Sequence, residues 1–152
     1  MKNAGFSLLE LLIVLTIVGI LVTVMAPSLS TMLQRERTRS AVNQFVGAHS
    51  LARATAIRYG RVAELHIDAA NARFWVEFDT SLAGGVMDTV RMVHNVGEGG
   101  LVMTSNRSLL CFDRRGLATT VDTCEEGSAL VVFSVAGRAD TVTATTLGKI
   151  LR

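Results

Sequence analysis

Gly5-Phe6-Ser7-Leu8-Leu9-Glu10-Leu11-Leu12-Ile13-Val14-Leu15-Thr16-Ile17-Val18-Gly19-Ile20-Leu21-Val22-Thr23-Val24-Met25-Ala26-Pro27 is the stretch on which the reading of the fold turns. From Phe6 to Met25 it is apolar apart from Ser7, Glu10, Thr16, Gly19 and Thr23. About 20 such residues, rising about 1.5 Å each in a helix, match a hydrocarbon layer about 30 Å thick. The sequence therefore predicts a transmembrane helical segment over residues 6–27.

Within that run Glu10 is the one ionisable side chain. A charge at depth in lipid costs about 2.5–3.5 kcal/mol on insertion scales and calls for a partner. Cutting the Gly5–Phe6 bond would remove Met1-Lys2-Asn3-Ala4-Gly5 and leave an ammonium on Phe6. Phe6 and Glu10 stand at i and i+4 in one helix, but the same groups can pair between neighbouring helices offset along their axes. An offset pair sets a register for stacking subunits.

A short basic leader, Gly5 before Phe6, Glu10 early in the apolar run, Gly19 within it and Pro27 after it together resemble the N-terminus of type IV pilins and type II secretion pseudopilins. The resemblance implies a leader over residues 1–5, cleaved after Gly5 by a prepilin peptidase that also N-methylates Phe6. It further implies a single pass through the bacterial inner membrane, a periplasmic C-terminal domain, and extraction by an inner-membrane assembly platform into a filament of other pilin or pseudopilin subunits. On the residues alone, two other readings stay open. A secretory signal has a shorter apolar region of about 7–15 residues, and Val24-Met25-Ala26 is a poor cleavage site. A plain single-pass anchor explains the length but gives Glu10 no role.

Pro27 lacks an amide donor and crowds the carbonyl four residues back, and Gly19 weakens a helix by up to about 1 kcal/mol, so Gly19 to Pro27 is expected to be a joint. The resemblance adds that such a segment is often unwound in assembled filaments. Beyond it, residues 28–59 read as the amphipathic half of the helix. Val42, Phe45, His49, Ala52, Ala56 and Tyr59 recur at spacings of three and four, and Gly60 is expected to end the helix.

After Gly60 the period changes from 3.6 to 2. Val62–Asp68 and Arg73–Asp79 alternate around Ala69-Ala70-Asn71-Ala72, which predicts a hairpin. Ser81-Leu82-Ala83-Gly84-Gly85 reads as a loop. Thr89–His94, Leu101–Thr104, Leu109–Asp113, Ala129–Val135 and Thr141–Thr146 read as further strands, with a short one near the end. The expected class is α+β, a long N-terminal helix packed against a small antiparallel sheet domain over residues 60–152, the pilin fold. Asn43-Gln44-Phe45-Val46, Ser50 to Arg58, Leu110-Cys111-Phe112-Asp113-Arg114-Arg115-Gly116 and Leu147-Gly148-Lys149 resemble in particular the GspH/FimT family of minor pseudopilins and minor pilins.

A chain of 152 residues allows the helix and one small core. The formal net charge of +2 is too small to argue for nucleic acid by itself. Cys111 and Cys124 form an even pair in a body expected to face the periplasm, where oxidising conditions favour a disulfide. His49, His66 and His94 fall in different predicted elements without ligand spacing, so no metal site is read, and no cofactor is implied. Gly-x-Ser-x-Gly, the phosphate-binding loop and His-Glu-x-x-His are missing, so no enzyme is expected. Gly97-Glu98-Gly99-Gly100 reads as a turn rather than an anion cradle, since no lysine and helix follow it.

Some pilins of the resembled family bind DNA through the C-terminal region. Arg114, Arg115, Arg138, Lys149 and Arg152 fall at predicted turns or near the end and form a candidate phosphate-binding patch. Gly148-Lys149-Ile150-Leu151-Arg152 nevertheless departs from the Gly-Arg-x-Arg pattern of related DNA-binding tails, and scattered solvated arginines are the better reading. The expectation is a structural subunit of a type II secretion pseudopilus or type IV pilus, with a DNA-binding minor pilin of a competence pilus as the alternative.

Overall fold

The computed structural model describes residues 7–80, 85–120, 124, 128–145 and 147–151, excluding the side chains of residues 24–28. The chain divides into two compact units, residues 1–35 and 36–152. Helix α1, Leu8–Tyr59, contributes to both.

In the first unit every Leu, Ile and Val from Leu8 to Val22 is exposed. The hydroxyls of Thr16 and Thr23 donate back to the carbonyls of Ile13 and Ile20 at 2.7 and 2.8 Å, so these polar groups are satisfied within the helix. Gly19 and Pro27 both fall inside the helical span. Among the described residues no helix is long and apolar enough to cross a membrane.

In the second unit α1 buries Ala41, Val42, Phe45, Ala48, His49, Ala52 and Ala56, together with Thr38 and Thr55. The three-and-four spacing puts them on one face. Tyr59 departs from the expected stripe: it is 51% exposed and stacks on Phe78 at 4.6 Å at the margin of the core. Gly60 ends the helix as expected, at φ +65°. The amide of Arg61 donates to the carbonyl of Ala56 at 3.2 Å, the six-to-one bond of a left-handed helix cap.

Among the described residues nine strands follow: β1 Ala63–Asp68, β2 Arg73–Asp79, β3 Met87–Asn95, β4 Val102–Ser105, β5 Leu109–Phe112, β6 Ala118–Thr119, β7 Ala129–Val135, β8 Arg138–Ala144 and β9 Ile150–Leu151. Instead of one sheet they form two, ordered β3-β2-β1-β5-β6 and β4-β7-β8-β9, with every pairing antiparallel. The strand expected from Thr141 begins earlier, at Arg138, because Ala136 and Gly137 make a two-residue hairpin turn with φ +48° and +81°. The expected turn at 97–100 contains a short 3-10 segment, Glu98–Gly100. Of the loop expected over Ser81–Gly85, residues 81–84 lie outside the described residues.

Phe45 joins the layers. Its ring meets Phe74 of β2 edge-on at 5.4 Å and Phe133 of β7 at 5.9 Å, one partner from each sheet. All three are fully buried, and truncating such a ring costs about 3–5 kcal/mol. One helix face and two sheets thereby share a single core.

Candidate functional site

Two regions carry the residues singled out by sequence. At the N-terminus, Gly5, Phe6 and the leader lie outside the described residues, and Glu10 sits in the first turn of α1. The positive end of the helix dipole favours an acid there.

The second region is at the C-terminal end of α1, and its organising residue is one that sequence reasoning missed. Arg53 donates from Nε to the carbonyl of Gly116 at 2.8 Å and from Nη1 to the carbonyl of Gly148 at 2.7 Å. Gly116 and Gly148 are at φ +76° and +70°, and both are buried. A Cβ on Gly148 would lie 2.8 Å from the Gly116 oxygen, so the two turns touch backbone to backbone. Asp113 shapes the first turn by accepting from the amides of Arg115 and Leu117, both at 2.9 Å. Burial alone would raise its pKa, but hydrogen bonds from Leu117 and Arg115 outweigh this and hold its carboxyl below the usual range. The second turn is closed by Thr145, whose amide donates to the carbonyl of Lys149 at 2.8 Å.

Of the basic residues expected to converge, Arg114, Arg115 and Lys149 are exposed on these two adjoining turns. Arg115 also pairs with Asp113 at 3.1 Å, which offsets part of its charge. Arg138 is not with them: it begins β8 while the Lys149 turn follows the other end, about 20 Å away at about 3.3 Å per residue. Arg152 lies outside the described residues. A surface recess beside the first turn is lined by Gly60, Arg61, Val62, Asp113, Arg114, Arg115 and Thr119. A second, lined by Tyr59, Arg61, Phe78, Asp79 and Thr80, shares Arg61 with it. Arg58 stands over the Tyr59 ring at 5.5 Å.

Cys111 and Cys124 are joined in a disulfide with Cα atoms 5.8 Å apart. The bond ties Cys124 to β5. Glu64 lies within 4.8 Å of both sulfurs, but bonded sulfurs offer no thiolate to a metal.

The sequence pattern of the family described as Type II transport protein GspH matches residues 41–148, and that of the prokaryotic N-terminal methylation motif matches residues 1–26. The chain belongs to the GspH family. Solved structures agree on the fold of this GspH-family chain. It superimposes on the type IV minor pilin FimU of Pseudomonas aeruginosa with a TM-score of 0.58 at 14% identity, over 79% of this chain and 90% of that one. The minor pseudopilin EpsH from the type 2 secretion system of Vibrio cholerae gives a TM-score of 0.58 at 16% identity, over 76% and 94%. No curated protein matches the chain by sequence. The chain is thus a pilin-like protein of the GspH family that carries the N-terminal methylation motif.

Proposed function

We propose that the chain is a non-enzymatic minor subunit of a type II secretion pseudopilus or type IV pilus. Residues 1–5 are its leader, 6–27 its span of the inner membrane, 28–59 the amphipathic part of the helix and 60–152 its periplasmic sheet domain. Prepilin peptidase cleaves after Gly5 and methylates Phe6. The observation that carries this reading is Glu10, a lone carboxylate in an apolar run, in a chain that also carries the methylation motif. Its charge is neutralised by the new amine on Phe6 of an adjacent subunit, which fixes the stagger of neighbouring helices in the filament core. Gly19 to Pro27 is the joint that opens on assembly, since one residue there has no amide donor and another has no side chain.

Two measurements test the proposal. Mass spectrometry of the membrane-extracted protein is expected to find a methylated Phe6 as the first residue. Glu10→Ala is expected to stay in the membrane and drop out of sheared filaments. Retention of Met1, or normal incorporation of the Glu10→Ala chain, would overturn it.

DNA binding is a second reading, supported by the Arg53 tether that keeps Arg114, Arg115 and Lys149 on adjoining turns. If these groups bind phosphates, affinity falls steeply with salt, and Arg114→Ala with Lys149→Ala reduces both affinity and the salt slope. No binding at low salt removes this reading and leaves the subunit reading intact.

A further inference from the structure

The solvent side of the first sheet holds an imidazole between two carboxylates, in a cluster that filament assembly does not use. Glu64 of β1 and Glu77 of β2 are directly opposite in the antiparallel register, an arrangement in which like charges repel. His66 follows on the same face of β1. Its Nε2 lies 3.1 Å from Glu64 Oε2 and 3.3 Å from Glu77 Oε2. That nitrogen is closed to solvent, yet neither oxygen is aligned to accept a hydrogen bond from it.

The surroundings hold two of the three groups, His66 and Glu77, in place. Trp75 donates its indole N–H to Glu77 Oε1 at 2.7 Å, and the Thr89 hydroxyl reaches the same oxygen at 3.5 Å, leaving Oε2 to face the imidazole. The Trp75 ring also stacks on the His66 ring, centroids 5.1 Å apart and planes 5° from parallel. A hydrogen bond that orients a ligating carboxylate is an outer support of the kind metal sites use, and the stacked ring limits rotation of the imidazole. The side chains of His66, Glu64 and Glu77 remain 26%, 21% and 25% exposed, so an ion from solvent has access.

We propose that His66, Glu64 and Glu77 bind one zinc ion. Zinc bonds of about 2.0–2.2 Å to nitrogen and oxygen at tetrahedral angles place adjacent donors roughly 3.3–3.5 Å apart, close to the two separations seen here. Two carboxylates balance the dication, and water completes the coordination. An imidazole in the donor set favours zinc and its transition-metal neighbours over magnesium or calcium. The three donor atoms do not all lie within 4.8 Å of one another, so the two carboxylate oxygens stand apart about Nε2, and closing both on one ion takes a rotation of the Glu64 side chain. Direct pairing of His66 with the two acids, with no ion, is the first outcome that the test separates from the proposal, and Glu64 with Cys111 and Cys124 is a rival donor set once a dithiol reduces the disulfide.

The test is a Zn2+ titration of the full chain in detergent micelles with the disulfide intact, read by calorimetry and by emission of Trp75, the chain's single tryptophan. One equivalent is expected to bind, with Trp75 emission changing to the same stoichiometry and no response to Mg2+. His66→Ala and Glu77→Gln are each expected to weaken binding at least about 10-fold, and Trp75→Phe, followed by calorimetry, about 10-fold. Asp68→Asn, on the same strand face, is expected to change nothing, and circular dichroism checks that each variant is folded. The proposal fails if no saturable zinc response appears, which leaves a simple ion pair. It also fails if binding survives His66→Ala but is lost in Cys111→Ser with Cys124→Ser, which assigns the ion to the cysteines.

Discussion

Arg53 donates from Nη1 to the carbonyl oxygen of Gly148 at 2.7 Å, bridging 95 positions of sequence. Its Nε serves Gly116 in the same way, so one guanidinium closes α1, the β5–β6 turn and the β8–β9 turn together. Charge-assisted hydrogen bonds contribute about 1.5–3 kcal/mol each, and a buried carbonyl left unpaired adds a penalty. Arg53→Ala is expected to destabilise the sheet domain by about 2–4 kcal/mol in urea unfolding. Arg53→Lys recovers only part of this, since a point donor replaces a planar fork.

The close approach of the two turns gives a separate prediction. Gly148 and Gly137 have similar φ, +70° and +81°, but a Cβ on Gly148 meets the Gly116 oxygen at 2.8 Å and Arg53 Nε at 2.9 Å, whereas one on Gly137 meets nothing within 4 Å. Left-handed backbone costs an L-residue about 1–2 kcal/mol. Gly137→Ala is expected to show that cost alone. Gly148→Ala is expected to exceed it by about 1 kcal/mol or more, and equal losses in the two variants would show that the turns separate freely.

The disulfide supplies a third prediction. Cys111 and Cys124 are 13 residues apart, and closing a loop of that length restricts the unfolded chain by about 3 kcal/mol. Adding a dithiol during unfolding is expected to lower the urea midpoint by a matching amount. In Cys111→Ala with Cys124→Ala the dithiol is expected to have no effect.

Much of this architecture was legible because period reveals secondary structure. The helix face through Val42, Phe45, His49, Ala52 and Ala56 follows from spacing, and so do β1, β2 and β7. The division into two sheets was not legible, because strand partners are chosen by contacts between distant segments. β6, only Ala118–Thr119, is too short to show alternation. Tyr59 misleads because the helix ends one residue later and leaves its ring at the margin. The basic turns could be read singly, but their juxtaposition depends on Arg53 finding backbone carbonyls, which leave no mark in residue identity. The Glu64, His66 and Glu77 cluster was hidden for a related reason: only the β1–β2 register sets one acid opposite another.

His49 yields the last prediction. It is 2% exposed, lies edge-on to Phe112 at 5.0 Å, and its Nε2 has no hydrogen-bond partner. Burial first, and then the neighbouring Arg53 charge, lower its pKa from 6.5 to about 4. The folded state therefore holds His49 neutral while the unfolded chain takes up a proton below about pH 6.5, so its contribution to stability is full above that pH, declines toward pH 4 and is then constant. The shift corresponds to roughly 3 kcal/mol at about 1.4 kcal/mol per unit. His94 is lowered as well, by burial and then by Arg91, so the informative quantity is the difference between the parent chain and His49→Leu. That difference is expected to move in favour of the leucine variant between about pH 7 and pH 4.5 in urea unfolding. A difference that stays constant across the interval would mean that folded His49 carries its proton.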